Sequence, residues 1–323
     1  MLSSLRRHWN ASDTLVAGYL LLLLGLTATH LPAIRAQLDS EEGGRSAGIL
    51  EWIFLATHGL LLALLLLLVS RGSNARRPVW RVLRDWYPVL FIPALYKQLL
   101  VLVPAISPHD MDEVLLRMDA AIGGDRLVRG LSRITTDFLT DLFKLCWSSY
   151  VVLPFLAAVP VYRRMAPEQF RAVRFAFVLA WLSTYVGYFL TPALGMGYYL
   201  DRIGATGTGE GAALAVHLKG FFDLLEGKMR DSYPSGHAAI GLVTIWVHLR
   251  WRLPLRFVVV PVTLGLVFAT VYLRYHYIVD LLAGLVAGAA GVVSAEAFLR
   301  CRAGSARLAP HLRESMQNPP GGA

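Results

Sequence analysis

The sequence predicts an all-α protein, a polytopic membrane bundle of about eight transmembrane helices. Three observations predict it. The chain of 323 residues is 55% hydrophobic and only 16% charged, against roughly 25% charged for soluble domains. Its mean hydropathy is +0.51. Its apolar residues gather into runs of roughly twenty, the length an α-helix needs to cross a bilayer, and Arg-rich blocks separate those runs. The net charge of +9 does not point to nucleic acid, because the arginines lie between apolar runs and are not clustered with aromatics on one stripe. Cys146 and Cys301 are the only cysteines, so no disulfide framework is present and the compartment stays open.

The first expected span runs from Thr14 to Ile34, too long for the apolar region of a cleaved signal peptide. The second covers Leu50 to Val69 and the third Trp86 to Ile106. Between them lies the most basic loop, with Arg71, Arg76, Arg77, Arg81 and Arg84. The stretch from Ser107 to Asp137 is polar, and Leu115, Leu116, Met118 and Ile122 recur in it at helical spacing, predicting an amphipathic interfacial helix. A fourth span covers Phe138 to Tyr162 and a fifth Phe175 to Thr191. The longest loop follows, Pro192 to Pro234, with a Gly-rich middle and a short helix expected over Ala212 to Leu225. The sixth span starts near His237 and ends at Arg252, the seventh covers Phe257 to Leu273, and the eighth Ile278 to Phe298.

The domain layout follows from these runs. Residues 1–85 form a two-span extension with its basic loop, 86–299 a catalytic membrane domain, and 300–323 a disordered basic tail. Cytoplasmic loops of membrane proteins carry an excess of Lys and Arg. That rule places both termini and the Arg71–Arg84 loop in the cytosol, and the segments around His237 and His276 on the opposite, periplasmic or lumenal, face.

Two stretches carry chemistry. The first is Asp231-Ser-Tyr-Pro-Ser-Gly-His237. Its Pro234-Ser-Gly-His237 portion stands at the mouth of a span, where unpaired backbone N–H groups and the helix dipole suit an anion. An N-capping serine followed by an incidental histidine is the plainer reading. The second is Tyr272-Leu-Arg-Tyr-His-Tyr-Ile-Val-Asp280, in which His276 and Asp280 fall one helical turn apart on one face. A purely structural His–carboxylate pair is the alternative there, although a carboxylate inside a membrane segment points to function. One His and one Asp on a turn do not complete a metal-ligand set. Two histidines, one with a carboxylate partner, suit nucleophilic attack on phosphorus with a separate proton donor. Lys97 is read as an internal partner of Asp141 or Glu51, and Lys144 as a snorkelling or Asp141-paired lysine. His58 is read as a core histidine. Gly284, Gly288 and Gly291 serve close helix packing, and Trp147, Tyr150 and Trp181 are packing or interfacial residues.

Pro234-Ser-Gly-His237 followed by His276-Tyr-Ile-Val-Asp280 resembles the second and third signatures of the PAP2 superfamily, the type 2 phosphatidic acid phosphatases. The His-Tyr-x-x-Asp form, the leading Asp85-Trp-Tyr-Pro88 segment and the series Asp112, Asp119, Gly123 resemble most closely the branch of the inositol phosphorylceramide synthases. The resemblance implies a six-helix catalytic core and a phosphohistidine intermediate. His276 is then the nucleophile, Asp280 its orienting anion, and His237 the proton donor and later the base. Ser235 and Gly236 bind phosphate oxygens. No metal or other cofactor is implied. The two imidazoles are expected across a cleft wide enough for one phosphate, with Asp280 in hydrogen-bond reach of His276.

Two features depart from the superfamily pattern. The first signature, a Lys followed seven residues on by Arg-Pro, is absent where the fifth span ends, and Thr191-Pro-Ala-Leu-Gly-Met-Gly-Tyr-Tyr199 stands there. Thr270 occupies the position six before His276, where the third signature has arginine. Arg274, Arg230, Lys228 and Arg202 are the candidate phosphate-binding cations by location, with solvated loop charges as the alternative.

The function expected from this is transfer of a phospho-head group from a phospholipid donor to a lipid acceptor. Hydrolysis of a lipid phosphate, with water as acceptor, is the alternative. The partners are then a phospholipid donor, a lipid or water acceptor and the bilayer, without nucleic acid. A non-enzymatic transporter or receptor is the distant alternative, disfavoured by the His/His/Asp set and by the missing pairs of broken repeat helices.

Overall fold

The computed structural model describes residues 8–42, 47–72, 78–204 and 230–317. Its regular elements are all helical. The N-terminal helices are α1 (Ala11–Thr29), α2 (Leu31–Glu42), α3 (Ala47–Gly72), α4 (Pro78–Trp86) and α5 (Pro88–Ile106). Next come the short helices α6 (Asp112–Ala121) and α7 (Gly124–Ser132), then α8 (Asp137–Ser148), α9 (Leu153–Arg164), α10 (Pro167–Leu190) and α11 (Met196–Arg202). The chain closes with α12 (Gly236–Arg250), α13 (Arg256–Tyr272) and α14 (Ile278–Gln317).

Among the described residues, five stretches are long and apolar enough to cross a membrane, over 11–29, 52–71, 78–106, 167–190 and 278–303, and the bent pair α8/α9, counted as one span, makes a sixth. The expected sixth and seventh spans are shorter. α12 has 15 residues and α13 has 17, or about 22 and 26 Å at 1.5 Å per residue, less than the ~30 Å hydrocarbon thickness. α12 is buried along most of its length, packed between α10, α14 and α13, so a span's worth of lipid-facing surface is not required of it.

The fourth expected span is broken by a 42° bend. A short 3-10 turn, Ser149–Val151, links its halves, and Pro154 opens the second one. Proline is tolerated in a first helical turn because its missing N–H would be unpaired there in any case. The polar segment after α5 folds as two helices instead of one. The expected disordered tail is helical as far as Gln317. The short helix expected over Ala212 to Leu225 lies outside the described residues.

One buried carboxylate adds a polar tie between α1 and the rest of the bundle, beside the apolar packing of Val16, Leu20 and Leu23. Asp13 and Asn10 form a capping box, in which each side chain accepts from the other's backbone N–H. The same Asp13 carboxylate pairs with Arg84 and accepts from the Tyr87 hydroxyl at 3.0 Å. Arg174 of α10 continues this polar cluster, donating to the carbonyls of Arg84 and Asp85. Burial of these side chains is supportable because Asp13 pairs with Arg84 and Arg174 pairs with the Asp85 carboxylate at 3.6 Å.

Small residues let α14 approach its neighbours. A Cβ on Gly284 would lie 2.2 Å from the Ser235 carbonyl oxygen, one on Gly288 2.5 Å from that of Ala239, and one on Gly291 2.6 Å from that of Ala176. Backbone-to-backbone contact of this kind is the expected use of small-residue stripes between membrane helices. It sets the carboxylate helix directly against the start of α12.

Candidate active site

Ser235 is the N-cap of α12, in extended backbone conformation, and its hydroxyl oxygen accepts from the Ala238 N–H at 3.3 Å. This leaves Gly236 and His237 in the first turn, both on the wall of an internal cavity. The Ser235 N–H donates to the Asp280 carbonyl at 2.9 Å. The two motifs are thus joined through their backbones before any side chain is considered.

The second motif is shaped by the end of α13. The N–H groups of Tyr275 and His276 both donate to the Thr270 carbonyl, at 2.8 and 3.1 Å, after Arg274 takes a left-handed backbone conformation with φ of 57°. The chain folds back on itself and starts α14 at Ile278. Two aspartates of α6 hold that turn. Asp119 accepts from the Val279 N–H at 3.1 Å, so it caps α14 from outside the chain's local sequence. Asp112 accepts from the Tyr277 hydroxyl at 3.1 Å and from the N–H groups of Leu194 and Gly195 at 2.9 and 3.0 Å. Burial raises the carboxyl pKa of both aspartates, opposed by these hydrogen bonds. Gly124 belongs to the same device, because a Cβ there would lie 2.1 Å from Asp119 Oδ2.

His237, His276 and Asp280 come together. His276 Nδ1 lies 3.3 Å from Asp280 Oδ2, and its Nε2 lies 3.2 Å from His237 Nδ1. Ser232 completes the set: its hydroxyl donates to Asp280 Oδ2 at 2.5 Å and lies 3.2 Å from His276 Nδ1. Asp280 also accepts from the Tyr277 N–H at 2.9 Å and is fully buried. A carboxylate facing Nδ1 holds the proton there and leaves Nε2 with its lone pair. The expected phosphate-wide cleft between the imidazoles is instead a direct nitrogen–nitrogen contact. His276 Nε2 is thereby covered by the His237 ring.

The cavity has a volume of about 430 Å³, inside the ~300–1,000 Å³ range of small-molecule sites. Its α10 wall is Arg174, Phe177, Val178, Trp181, Tyr185 and Tyr188. Their recurrence at steps of one, three and four residues marks a single helix face, about 21 Å long from first to last. α5 and the broken α8/α9 pair supply two further faces. The histidines are at the Tyr188 end, and Asp85 with Arg174 at the other. Trp147, Tyr150 and Trp181, expected as packing residues, therefore line this space. The Tyr150 and Trp147 rings lie 4.5 and 5.8 Å from the His237 ring.

The candidate cations are placed elsewhere, Lys228 excepted, which lies outside the described residues. Arg230 and Arg202 both pair with Asp110, Arg230 at 2.7 Å. Arg274 donates to the Ser132 hydroxyl at 2.7 Å on the exposed side of its turn. None of the three is on the cavity wall, whereas Lys144, Lys97 and Arg174 are. Lys144 is only 2% exposed. Its ammonium donates to the Tyr275 hydroxyl and stands 4.2 Å over the Trp147 ring and 4.6 Å over that of Tyr275. Ser235, expected to contact phosphate through its hydroxyl, is buried beneath the wall as a cap. Gly236 does line the cavity, with the hydroxyls of Tyr188 and Tyr150 3.2 and 3.7 Å from where its Cβ would stand.

Sequence reasoning gave no role to Ser232 and Asp231, although both open the first motif, and did not single out Tyr96. Asp231 lies on the cavity wall and accepts from the Tyr96 hydroxyl. Burial raises its carboxyl pKa, and His276 acts in the opposite direction. Among the described residues, no group of three or more His, Cys, Asp and Glu is arranged to hold a metal.

The chain matches no curated protein and no solved structure. A family profile described as PAP2 superfamily matches residues 113–294, more than half of the chain. That match runs from α6 to α14 and takes in both histidines, Asp280, Ser232, Lys144 and the aspartate that caps α14. The chain belongs to the PAP2 superfamily.

Proposed function

We propose that this protein transfers a phosphoryl-bearing head group from a phospholipid to a lipid alcohol, in the manner of the inositol phosphorylceramide synthases. The observation that carries this reading is the His237–His276–Asp280 set at one end of a long apolar cavity. In the first half-reaction His276 Nε2 attacks phosphorus and the bond to the leaving lipid oxygen breaks. His237 gives that oxygen its proton. In the second half the acceptor hydroxyl gives a proton to His237, its oxygen bonds to phosphorus, and the bond to Nε2 breaks. Both histidines return to their starting state.

Asp280 and Ser232 steady the imidazolium that forms while His276 carries phosphorus. Lys144, one aromatic ring away from His237 through Trp147, supplies positive charge to the phosphate in place of the missing first signature. In a site poor in water such a charge acts strongly on a developing anion. Apolar and aromatic enclosure of His237 favours an alcohol over water as the group it activates. The active site faces the non-cytosolic side in this reading. That orientation is supported by the Arg84 and Arg174 cluster lying about 21 Å down α10 from Tyr188.

Purified protein incubated with labelled phospholipids, with and without ceramide, diacylglycerol or inositol, tests the reading. The expected result is an acid-labile phosphoenzyme and label in a new lipid only when an alcohol acceptor is present. Label released solely as water-soluble phosphate points to the lipid phosphatase outcome. Absence of any phosphoenzyme with every donor overturns the histidine mechanism.

A further inference from the structure

Asp231 lines the cavity beside the two motifs and has no part in the chemistry above. Asp231 stands one residue before Ser232, which itself contacts both His276 and Asp280. Its carboxylate faces the cavity and accepts from the Tyr96 hydroxyl of α5. A carboxylate that holds a phosphate is mismatched, since both are anions and both accept hydrogen bonds. Toward an alcohol the match is good, because hydroxyls donate and a carboxylate has about four acceptor positions, of which Tyr96 takes one. Its surroundings are the phenols of Tyr96, Tyr185 and Tyr188, the adjacent Ser232 and the His276 imidazole, and the phenols and the serine suit a neutral hydroxylated molecule.

Resting on the phosphotransfer reading, we infer that Asp231, oriented by Tyr96, is the residue that selects the acceptor. The acceptor is a neutral alcohol with more than one hydroxyl. One hydroxyl is placed beside His237 and phosphorus, and a second donates to the Asp231 carboxylate. The hydroxyl bound by Asp231 keeps its proton. The reacting hydroxyl passes its proton to His237 as its oxygen bonds to phosphorus and the bond to His276 Nε2 breaks. Asp231 is thus a specificity residue, and water, with nothing to extend to it, is the poorer acceptor.

Hexadecyl p-nitrophenyl phosphate serves as a common donor, since p-nitrophenol release reports formation of the intermediate. Glycerol and ethanol then compete for it, and the ratio of hexadecyl phosphoglycerol to hexadecyl ethyl phosphate reports selection. The expected wild-type ratio favours glycerol. In Asp231→Ala and Asp231→Asn that preference falls by about 10- to 100-fold, the weight of one hydrogen bond to a charged group. In Tyr96→Phe the fall is a few-fold. An unchanged ratio in Asp231 variants that still release p-nitrophenol overturns the inference and leaves phosphotransfer standing. Should the Asp231 variants release none, Tyr96→Phe decides, and an unchanged ratio there overturns it. A wild-type protein that releases no p-nitrophenol overturns the phosphotransfer reading itself, and this inference with it.

Discussion

The cavity is built by two regions of different character. Residues 113–294, matched by the superfamily profile, hold every group assigned to bond making: the two histidines, Asp280, Ser232 and Lys144. The helices before them hold none of these. Yet α5 furnishes a whole wall of the same cavity, including Ile92, Tyr96 and Lys97. It is joined to the matched region by the Tyr185 hydroxyl, which donates to the Ile92 carbonyl at 3.3 Å, and by the Tyr96 hydroxyl, which donates to Asp231. The matched region is closely packed at the two motifs, with α14 capped by Asp119 and pressed on α12 through glycines. The difference teaches a division of labour. On the proposed mechanism, reaction chemistry lies in one region, and the choice of molecule is shared with the other.

The largest effects are expected where that division is absolute. His276→Ala abolishes turnover of every substrate, because no covalent intermediate forms, and acid-labile phosphoenzyme is missing on rapid quench. Phosphoenzyme at the wild-type level in that variant would reverse the roles of the two histidines. His237→Ala removes a proton donor, worth typically ~10²–10⁴-fold. That full loss is expected for a phospholipid donor, whose leaving alkoxide needs the proton. With a p-nitrophenyl ester the loss is smaller, since nitrophenolate leaves unprotonated. Equal losses for the two donors would show that His237 has another task.

Lys144→Met comes next. It keeps the length and the apolar stem but deletes the ammonium between the Trp147 and Tyr275 rings. Removing one preorganised donor from a transition state reduces kcat by about 10²–10³-fold, and kcat with p-nitrophenyl donors is the measurement. Arg274→Met, on the exposed side of its turn, is expected to change kcat by less than about 3-fold, as a surface substitution away from such features does little. A larger effect at Arg274 than at Lys144 would sink the assignment of Lys144 as the replacement cation.

Much of this was legible in the sequence. Apolar runs gave the bundle, because a helix crossing a bilayer must bury its own backbone polar groups and show apolar side chains. The histidines and Asp280 were legible because four-residue spacing and a helix start are local facts. The length of α12 was not, since a helix buried among others and one facing lipid share the same apolar composition. The cations were misplaced for a similar reason. Arg230, Arg202 and Arg274 are near the histidines in sequence, but Asp110 and Ser132 hold them away from the cavity, and those partners are 92 to 142 residues distant. Lys144 and Asp231 reach the site only through packing of α8 and the turn before α12, for which no periodicity gives a sign.

The smallest expected effect tests the N-terminal wall directly. Ile92 is buried on α5 and lines the cavity one helical turn, about 6 Å, deeper than Tyr96. Ile92→Trp fills that depth with an indole without touching either histidine. If the lipid chain of the donor lies along α5, KM for a hexadecyl p-nitrophenyl phosphate rises by about 10-fold, or roughly 1.4 kcal/mol of lost binding. The butyl analogue, too short to reach the indole, keeps its wild-type KM, and kcat holds for both, the pattern of lost uniform binding. The short-chain donor also controls for folding, since an overpacked and misfolded bundle would lose it too. Equal KM changes for the two chain lengths would place the lipid elsewhere, and the wall on α5 would then be a packing surface with no part in choosing the substrate.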